Sequence, residues 1–120
     1  MYTNRGVTYF NLGQFDKAMS DYSKAIEIDP KDAVAYSNRG AVYGNLGQLD
    51  KAIAEFSKAI RINPNYKDAY YNRGLTYGNL GQWDKAISDY SKTIEINPNY
   101  SKAYSSREIA YRKLHSEKSR

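Results

Sequence analysis

The sequence predicts an all-α protein in which helical hairpins are repeated along the chain. Its three prolines, Pro30, Pro64 and Pro98, are each 34 residues from the next. The segments Tyr36–Pro64 and Tyr70–Pro98 are identical at 20 of 29 positions without gaps. Self-similarity at this period is typical of stacked pairs of helices.

Each repeat has the pattern of two helices. In the second repeat, Tyr36 and Tyr43 recur at helical spacing. Gly47 suits the end of that helix because glycine adopts a left-handed conformation at little cost. A stripe of alanine, isoleucine and Phe56 follows at three- and four-residue steps, and Pro64 ends it. The predicted helices span about 2–13, 16–29, 33–46, 50–63, 67–80, 84–97 and 101–117.

We expect a single domain over 1–120, because one hairpin alone cannot bury its apolar face and stacked neighbours can. The short connections require successive helices to pack as antiparallel neighbours. The expected parts of the domain are repeats at about 1–32, 33–66 and 67–100 and a final helix at about 101–118.

The recurring residues resemble the signature of the tetratricopeptide repeat (TPR) family. In the second repeat the matching positions are Tyr36, Arg39, Gly40, Tyr43, Ala52, Phe56, Ala59 and Pro64. The first and third repeats match at the equivalent places, so the resemblance covers nearly the whole chain. It implies a right-handed α-solenoid of three TPR helical hairpins plus a C-terminal capping helix.

A glycine recurs in the first helix of every repeat although it costs helix propensity, about 1 kcal/mol against alanine. We interpret it as permitting two helix backbones to approach closely, with a small alanine of the second helix across the contact. The glycines are Gly6, Gly40 and Gly74, and the expected partners are Ala18, Ala52 and Ala86.

An arginine stands where the family usually has leucine. A buried arginine needs a partner, and each full repeat supplies an acid at one fixed place on its second helix. The predicted pairs are Arg5–Asp21, Arg39–Glu55 and Arg73–Asp89. The alternative is a row of arginines that recognises an acidic ligand.

The last helix departs from the repeat, since Glu108 replaces the glycine. We interpret it as a capping helix that shields the third repeat. Its expected apolar face comprises Tyr104, Ala110, Tyr111 and Leu114. The residues expected to point toward water are Arg107, Arg112, Lys113, Lys118 and Arg120.

The resemblance implies that the first helices line a concave groove, where the family binds extended peptides. Asparagine can donate and accept hydrogen bonds at once, so repeated asparagines could hold a peptide backbone. Helix capping by the same asparagines is the alternative. The groove candidates are Thr3, Asn4, Val7, Phe10, Asn11, Ser37, Asn38, Ala41, Asn45, Tyr71, Asn72, Leu75, Asn79, Ser105, Ile109 and Arg112.

Some TPR domains hold a C-terminal carboxylate with two lysines, two asparagines and an arginine. At those places this chain has Thr3, Val7, Asn38, Asp68 and Asn72, and only Asn38 matches. Binding of that kind is therefore not expected.

Catalytic, metal and cofactor sites are not expected. The only histidine, His115, lies in the basic last helix, and the chain has no cysteine and no phosphate-binding glycine loop. Residues 1–100 carry a balance of +1 and residues 101–120 a balance of +4. A nucleic-acid binder more often carries a basic stripe along its body, so nucleic acid is an improbable partner.

The predicted function is a non-catalytic scaffold that binds a protein or peptide segment in the groove. The alternatives are a structural solenoid that self-associates as a homo-oligomer through its exposed first helix, and a fragment of a longer TPR array. A signal peptide and apolar membrane spans are not expected, which favours the cytoplasm.

Overall fold

The computed structural model describes residues 1–118, apart from the side chain of Lys118, and these residues form seven α-helices without a strand. All seven predicted helices are confirmed, with ends within two residues of the expected positions. The helices are α1 (Tyr2–Asn11), α2 (Phe15–Ile28), α3 (Ala33–Asn45), α4 (Leu49–Ile62), α5 (Lys67–Asn79), α6 (Trp83–Ile96) and α7 (Ser101–Lys118).

The helices form two compact units. Unit 1 is Met1–Pro64 and contains α1 to α4, and unit 2 begins at Asn65 and contains α5 to α7. In unit 1 each hairpin pairs consecutive helices, and α2 also contacts α3. In unit 2, α5 pairs with α6 and α6 with α7.

The turn inside each hairpin depends on a left-handed glycine. Gly47 has a φ of 76° after the end of α3, and the N–H of Gln48 then donates to the carbonyl of Tyr43 at 2.9 Å. At the other end of the hairpin, Asn63 is extended at φ −130° and ψ 93° because it precedes Pro64. Both helix ends are where the sequence predicts them.

The two units have separate buried clusters of the same type. In unit 1, Ala18, Tyr22 and Val42 are at most 1% exposed and form the centre of the core. In unit 2, Ala86 and Tyr90 form the equivalent cluster together with Ala110 of α7. An alanine and an aromatic residue of the second helix therefore anchor both cores.

The recurring glycine makes room for an aromatic ring rather than for alanine. A Cβ at Gly40 would lie 2.9 Å from Cε1 of Phe56 and 3.2 Å from the Cβ of Glu55. At Gly6 and Gly74 the nearest atoms are again ring carbons of the second helix, at 2.5 and 2.7 Å. The aromatic residue lies four positions after the expected partners Ala18, Ala52 and Ala86, and its ring carbons are the atoms nearest to the glycine.

All three predicted ion pairs are confirmed. Arg73 donates from Nε and Nη2 to the two carboxylate oxygens of Asp89, both at 2.8 Å, and Arg5 holds Asp21 with the same two distances. Arg39 holds Glu55 through Nε and, at 3.1 Å, through Nη2. Bidentate pairing of this kind fixes orientation as well as charge. Each arginine therefore recurs because it pairs with an acid on the second helix of its own hairpin.

Two of these pairs differ in burial, and the pKa values of their acids shift in opposite directions. The side chain of Arg5 is 57% exposed, and its hydrogen bonds hold the pKa of Asp21 below the usual value. The side chain of Arg73 is only 20% exposed, and burial of Asp89 raises its pKa although Arg73 opposes the shift. Arg73 therefore offsets part of the cost of burying the charge of Asp89.

Helix α7 packs through small residues instead of its tyrosines. Ala103 and Ala110 are fully buried and Leu114 is partly buried, whereas Tyr104 and Tyr111 are 43% and 51% exposed, so the predicted apolar face was wrong at its two tyrosines. In the full repeats the equivalents of Tyr111 face a lysine of the second helix, as Tyr43 does with Lys51 at 5.7 Å. No helix follows α7 within the described residues.

The basic residues of α7 are placed differently from one another. Arg112 and Lys113 are exposed as predicted. Arg107 was expected to point toward water, yet it is partly buried, donates to Ser91 Oγ at 3.2 Å and lies 5.6 Å from the ring of Tyr104. The side chains of Lys118 and Arg120 lie outside the described residues.

Two glycines of α3 provide a matched test of the hairpin contact. Gly40→Ala should lower the free energy of unfolding by about 1–3 kcal/mol, because the new methyl group overlaps Phe56 and Glu55. Gly44→Ala meets no atom within 4 Å and should instead raise it by about 0.5–1 kcal/mol through helix propensity. Urea denaturation measures both, and equal effects of the same sign would contradict the assignment.

The pair Arg73–Asp89 predicts a pH-dependent mutant. Arg73→Leu leaves a carboxylate that is 6% exposed without its cation, and should cost about 3 kcal/mol at pH 7. Burial then raises the pKa of Asp89 above its unfolded value, so folding takes up a proton as the pH falls. Thermal denaturation should therefore show a smaller loss at pH 4 than at pH 7. A loss that grows toward pH 4 would refute this account.

Candidate binding surface

In unit 1, two stripes of candidate residues lie on contacting first helices. Asn4, Val7 and Asn11 recur at three- and four-residue steps on α1, and equivalent positions recur on α3. The two helices contact each other, and Thr3 Oγ1 donates to Asp32 Oδ2 at 3.2 Å at the start of α3. We call this surface the unit-1 face, and its residues are Thr3, Asn4, Val7, Phe10, Asn11, Asn38, Ala41 and Asn45.

Unit 2 presents a second surface of the same origin. Its helices α5 and α7 contact each other, and the hydroxyls of Tyr71 and Ser106 are hydrogen-bonded at 3.1 Å. Leu75 and Ile109 are 39% and 52% exposed, which leaves two aliphatic side chains open to solvent. We call this surface the unit-2 face, and its residues are Tyr71, Asn72, Leu75, Asn79, Ser105, Ile109 and Arg112.

One column of candidates, made of the residues at equivalent positions in successive first helices, serves packing more than binding. Its residues are Thr3, Ser37, Tyr71 and Ser105. Ser37 is 3% exposed, so the expectation that it lines a groove was wrong. Thr3 and Tyr71, at the equivalent positions, are partly buried and use their hydroxyls on Asp32 and Ser106. Only Ser105 of this column is exposed. Thr3 and Tyr71 therefore link neighbouring first helices, a role that the mixture of Thr, Ser and Tyr at these positions did not indicate.

The asparagines differ in whether their amides are already engaged. Asn45 donates from Nδ2 to the carbonyl of Ala41 at 2.9 Å, which is the local helix interaction weighed as the alternative. The side-chain amides of Asn4, Asn38 and Asn72 form no hydrogen bond with another residue among 1–118. An amide that is partly or fully exposed and unengaged is available to a ligand.

A tyrosine at the end of an aromatic cluster binds one carboxylate of unit 2. The hydroxyl of Tyr100 donates to Asp68 Oδ1 at 3.0 Å, and burial together with this hydrogen bond raises the pKa of Tyr100 to about 12. The ring of Tyr100 lies 5.2 Å from that of Tyr71, which in turn lies 5.7 Å from Tyr90. This aromatic cluster holds the start of α5 in place and leaves Asp68 as an exposed negative charge.

The described part of the chain contains no group of three His, Asp or Glu side chains that converge as metal ligands. Over the same residues, the helices all lack an apolar stretch long enough to cross a bilayer. Every buried polar side-chain atom of residues 1–117 has a hydrogen-bond partner.

Comparison with known families identifies the repeat. A model described as "TPR repeat" matches residues 6–47 and 45–81, and one described as "Tetratricopeptide repeat" matches residues 68–100. The chain belongs to the tetratricopeptide repeat family. The predicted family and the all-α hairpin fold are thereby confirmed, while a comparison with curated proteins finds no match.

Several solved structures resemble the chain closely. The NMR structure of the first TPR domain of human RPAP3 is 28% identical, with a TM-score of 0.94 over 98% of this chain and 93% of that one. The first TPR of Spaghetti (RPAP3), bound to the HSP90 peptide SRMEEVD, is 28% identical with a TM-score of 0.92, covering 95% and 90%. The crystal structure of MamA is 35% identical with a TM-score of 0.88, covering 95% of this chain and 67% of that one.

Proposed function

We propose that this TPR protein is a non-catalytic interaction module that binds a partner segment through the first-helix faces of its repeats. The observation that carries the proposal is the pair of unengaged amides at Asn4 and Asn38 on the unit-1 face. An extended peptide presents an N–H and a C=O at each residue, and an asparagine amide can satisfy both. Val7, which is 39% exposed beside them, adds apolar contact.

The relatives support peptide binding as a class of function. The Spaghetti (RPAP3) domain, which shares 28% identity with this chain, is bound to the peptide SRMEEVD. TPR domains are typically scaffolds without catalysis. The acids Asp21, Glu55 and Asp89, which an acid–base mechanism would need free, are each held by an arginine.

The charges on the faces argue for a different ligand from that acidic peptide. Where a TPR carboxylate site has lysine, this chain has Thr3, whose hydroxyl is engaged with Asp32, and Asp68, whose charge is exposed. An exposed carboxylate repels an acidic tail. We infer that the faces bind a neutral or basic segment through apolar contact and amide hydrogen bonds.

Peptides selected from a random phage-displayed library supply the test. Asn4→Ala combined with Asn38→Ala should weaken a peptide selected on this protein by about 5–30-fold, because each lost hydrogen bond is worth roughly 1 kcal/mol. The matched control is Asn99→Ala, which removes an exposed asparagine from the loop before α7. Fluorescence anisotropy measures the affinities. Equal affinity of the double variant and the control would contradict the proposal.

Self-association is the competing function. Met1 and Leu12, which flank the first helix, are 91% and 65% exposed and would supply apolar contacts for it. Light scattering over a range of protein concentrations separates the two functions. A monomer at every concentration that still binds a selected peptide favours the interaction module.

A further inference from the structure

A surface cavity of unit 1 is lined by three cations. It has a volume of about 580 Å³ and lies between the loop that precedes α3 and the last turns of α4. Its lining residues are Pro30, Lys31, Lys58, Arg61 and Ile62. None of the three cations forms an ion pair with another residue among 1–118. Lys58 stands 6.0 Å from the ring centroid of Tyr36, which helps to fix its position.

The repeats themselves show that the fold does not require this charge. Arg61 stands where the first and third repeats have Glu27 and Glu95. In the third repeat, Lys92 is paired with Glu95 at 3.6 Å, one turn along the helix. In the second repeat the same turn contains Lys58 and Arg61, so a neutralising carboxylate is replaced by a second cation.

Neighbouring negative groups do not cancel the cations. Asp29 accepts the backbone N–H of Lys31 at 3.0 Å, and Asp32 accepts the N–H of Ala35 and the hydroxyl of Thr3. Both acids line a different cavity of unit 1. The end of a helix such as α4 contributes roughly half a negative charge. The charged side chains that line the cavity itself are therefore all positive.

We propose that this cavity binds an acidic stretch of a partner polypeptide that carries an aliphatic side chain among its carboxylates. Lys31, Lys58 and Arg61 meet the carboxylates, and Ile62 with Pro30 provides an apolar wall for the aliphatic group. The volume is several times that of one phosphate or carboxylate and lies in the range of ligand sites. The inference rests on the proposed interaction function and adds a second contact, separate from the two faces.

The probe is a fluorescein-labelled peptide, Glu-Glu-Leu-Glu-Glu, titrated with the full chain at low salt. Arg61→Glu recreates the residue of the other repeats and should pair with Lys58 as Glu95 pairs with Lys92. Its affinity for the probe should fall about tenfold, which corresponds to about 1.4 kcal/mol. Lys113→Glu makes the same change of net charge on exposed α7 and should alter the affinity less than twofold.

A gain of function provides the converse test. Asn65→Lys combined with Glu95→Arg, together with the existing Lys92, places the same three cation types at the positions 34 residues further along the chain. This variant should bind two probe peptides for each chain instead of one. A stoichiometry that stays at one, or equal losses for Arg61→Glu and Lys113→Glu, would overturn the assignment.

Two further measurements distinguish a peptide site in this cavity from a phosphate site and from the unit-1 face. If tripolyphosphate binds and the peptide does not, the cavity is a site for a small phosphate compound and the peptide proposal is overturned. Asn4→Ala with Asn38→Ala should leave the probe affinity unchanged, because neither asparagine lines the cavity. If the face-binding proposal fails, binding of the probe at the cavity is still expected. If the cavity proposal fails, binding at the unit-1 face is still expected.

Discussion

Two adjacent residues on each first helix meet two adjacent residues on the second, and this contact closes every hairpin. In the second repeat, Arg39 holds the carboxylate of Glu55 while the next residue, Gly40, receives the ring of Phe56. The glycine is needed because any Cβ would overlap the ring, and the arginine is needed because the acid beside the ring is largely buried. Packing and electrostatics thus select the same register between the two helices.

The proposed binding depends on this contact because the contact determines which side of each first helix stays outside the hairpin. The side that carries Arg39 and Gly40 packs within the hairpin, and Asn38 lies outside that contact and stays partly exposed. Helix α7 shows what happens without the contact. Glu108 replaces the glycine, and Tyr104 remains exposed.

Periodicity made the helices, the left-handed glycine turns and the arginine pairs predictable, because each follows from a residue type repeated at a fixed spacing. The partner of Gly40 was not predictable from spacing, since alanine and Phe56 lie on the same stripe and only the reach of the ring decides between them. Burial of Ser37 depends on how neighbouring helices approach, which a single sequence does not encode locally. The cavity lined by Arg61 was not predictable from spacing either, because it forms where the loop before α3 meets the end of α4.

A double-mutant cycle between Gly40→Ala and Phe56→Leu tests the hairpin contact most directly. If the ring occupies the space that a Cβ would take, the shorter leucine makes room, and the alanine should be tolerated in its presence. The account predicts a coupling free energy of about 1 kcal/mol or more from urea denaturation of the four proteins. Additive effects, with coupling near zero, would show that the glycine and the aromatic ring do not depend on each other.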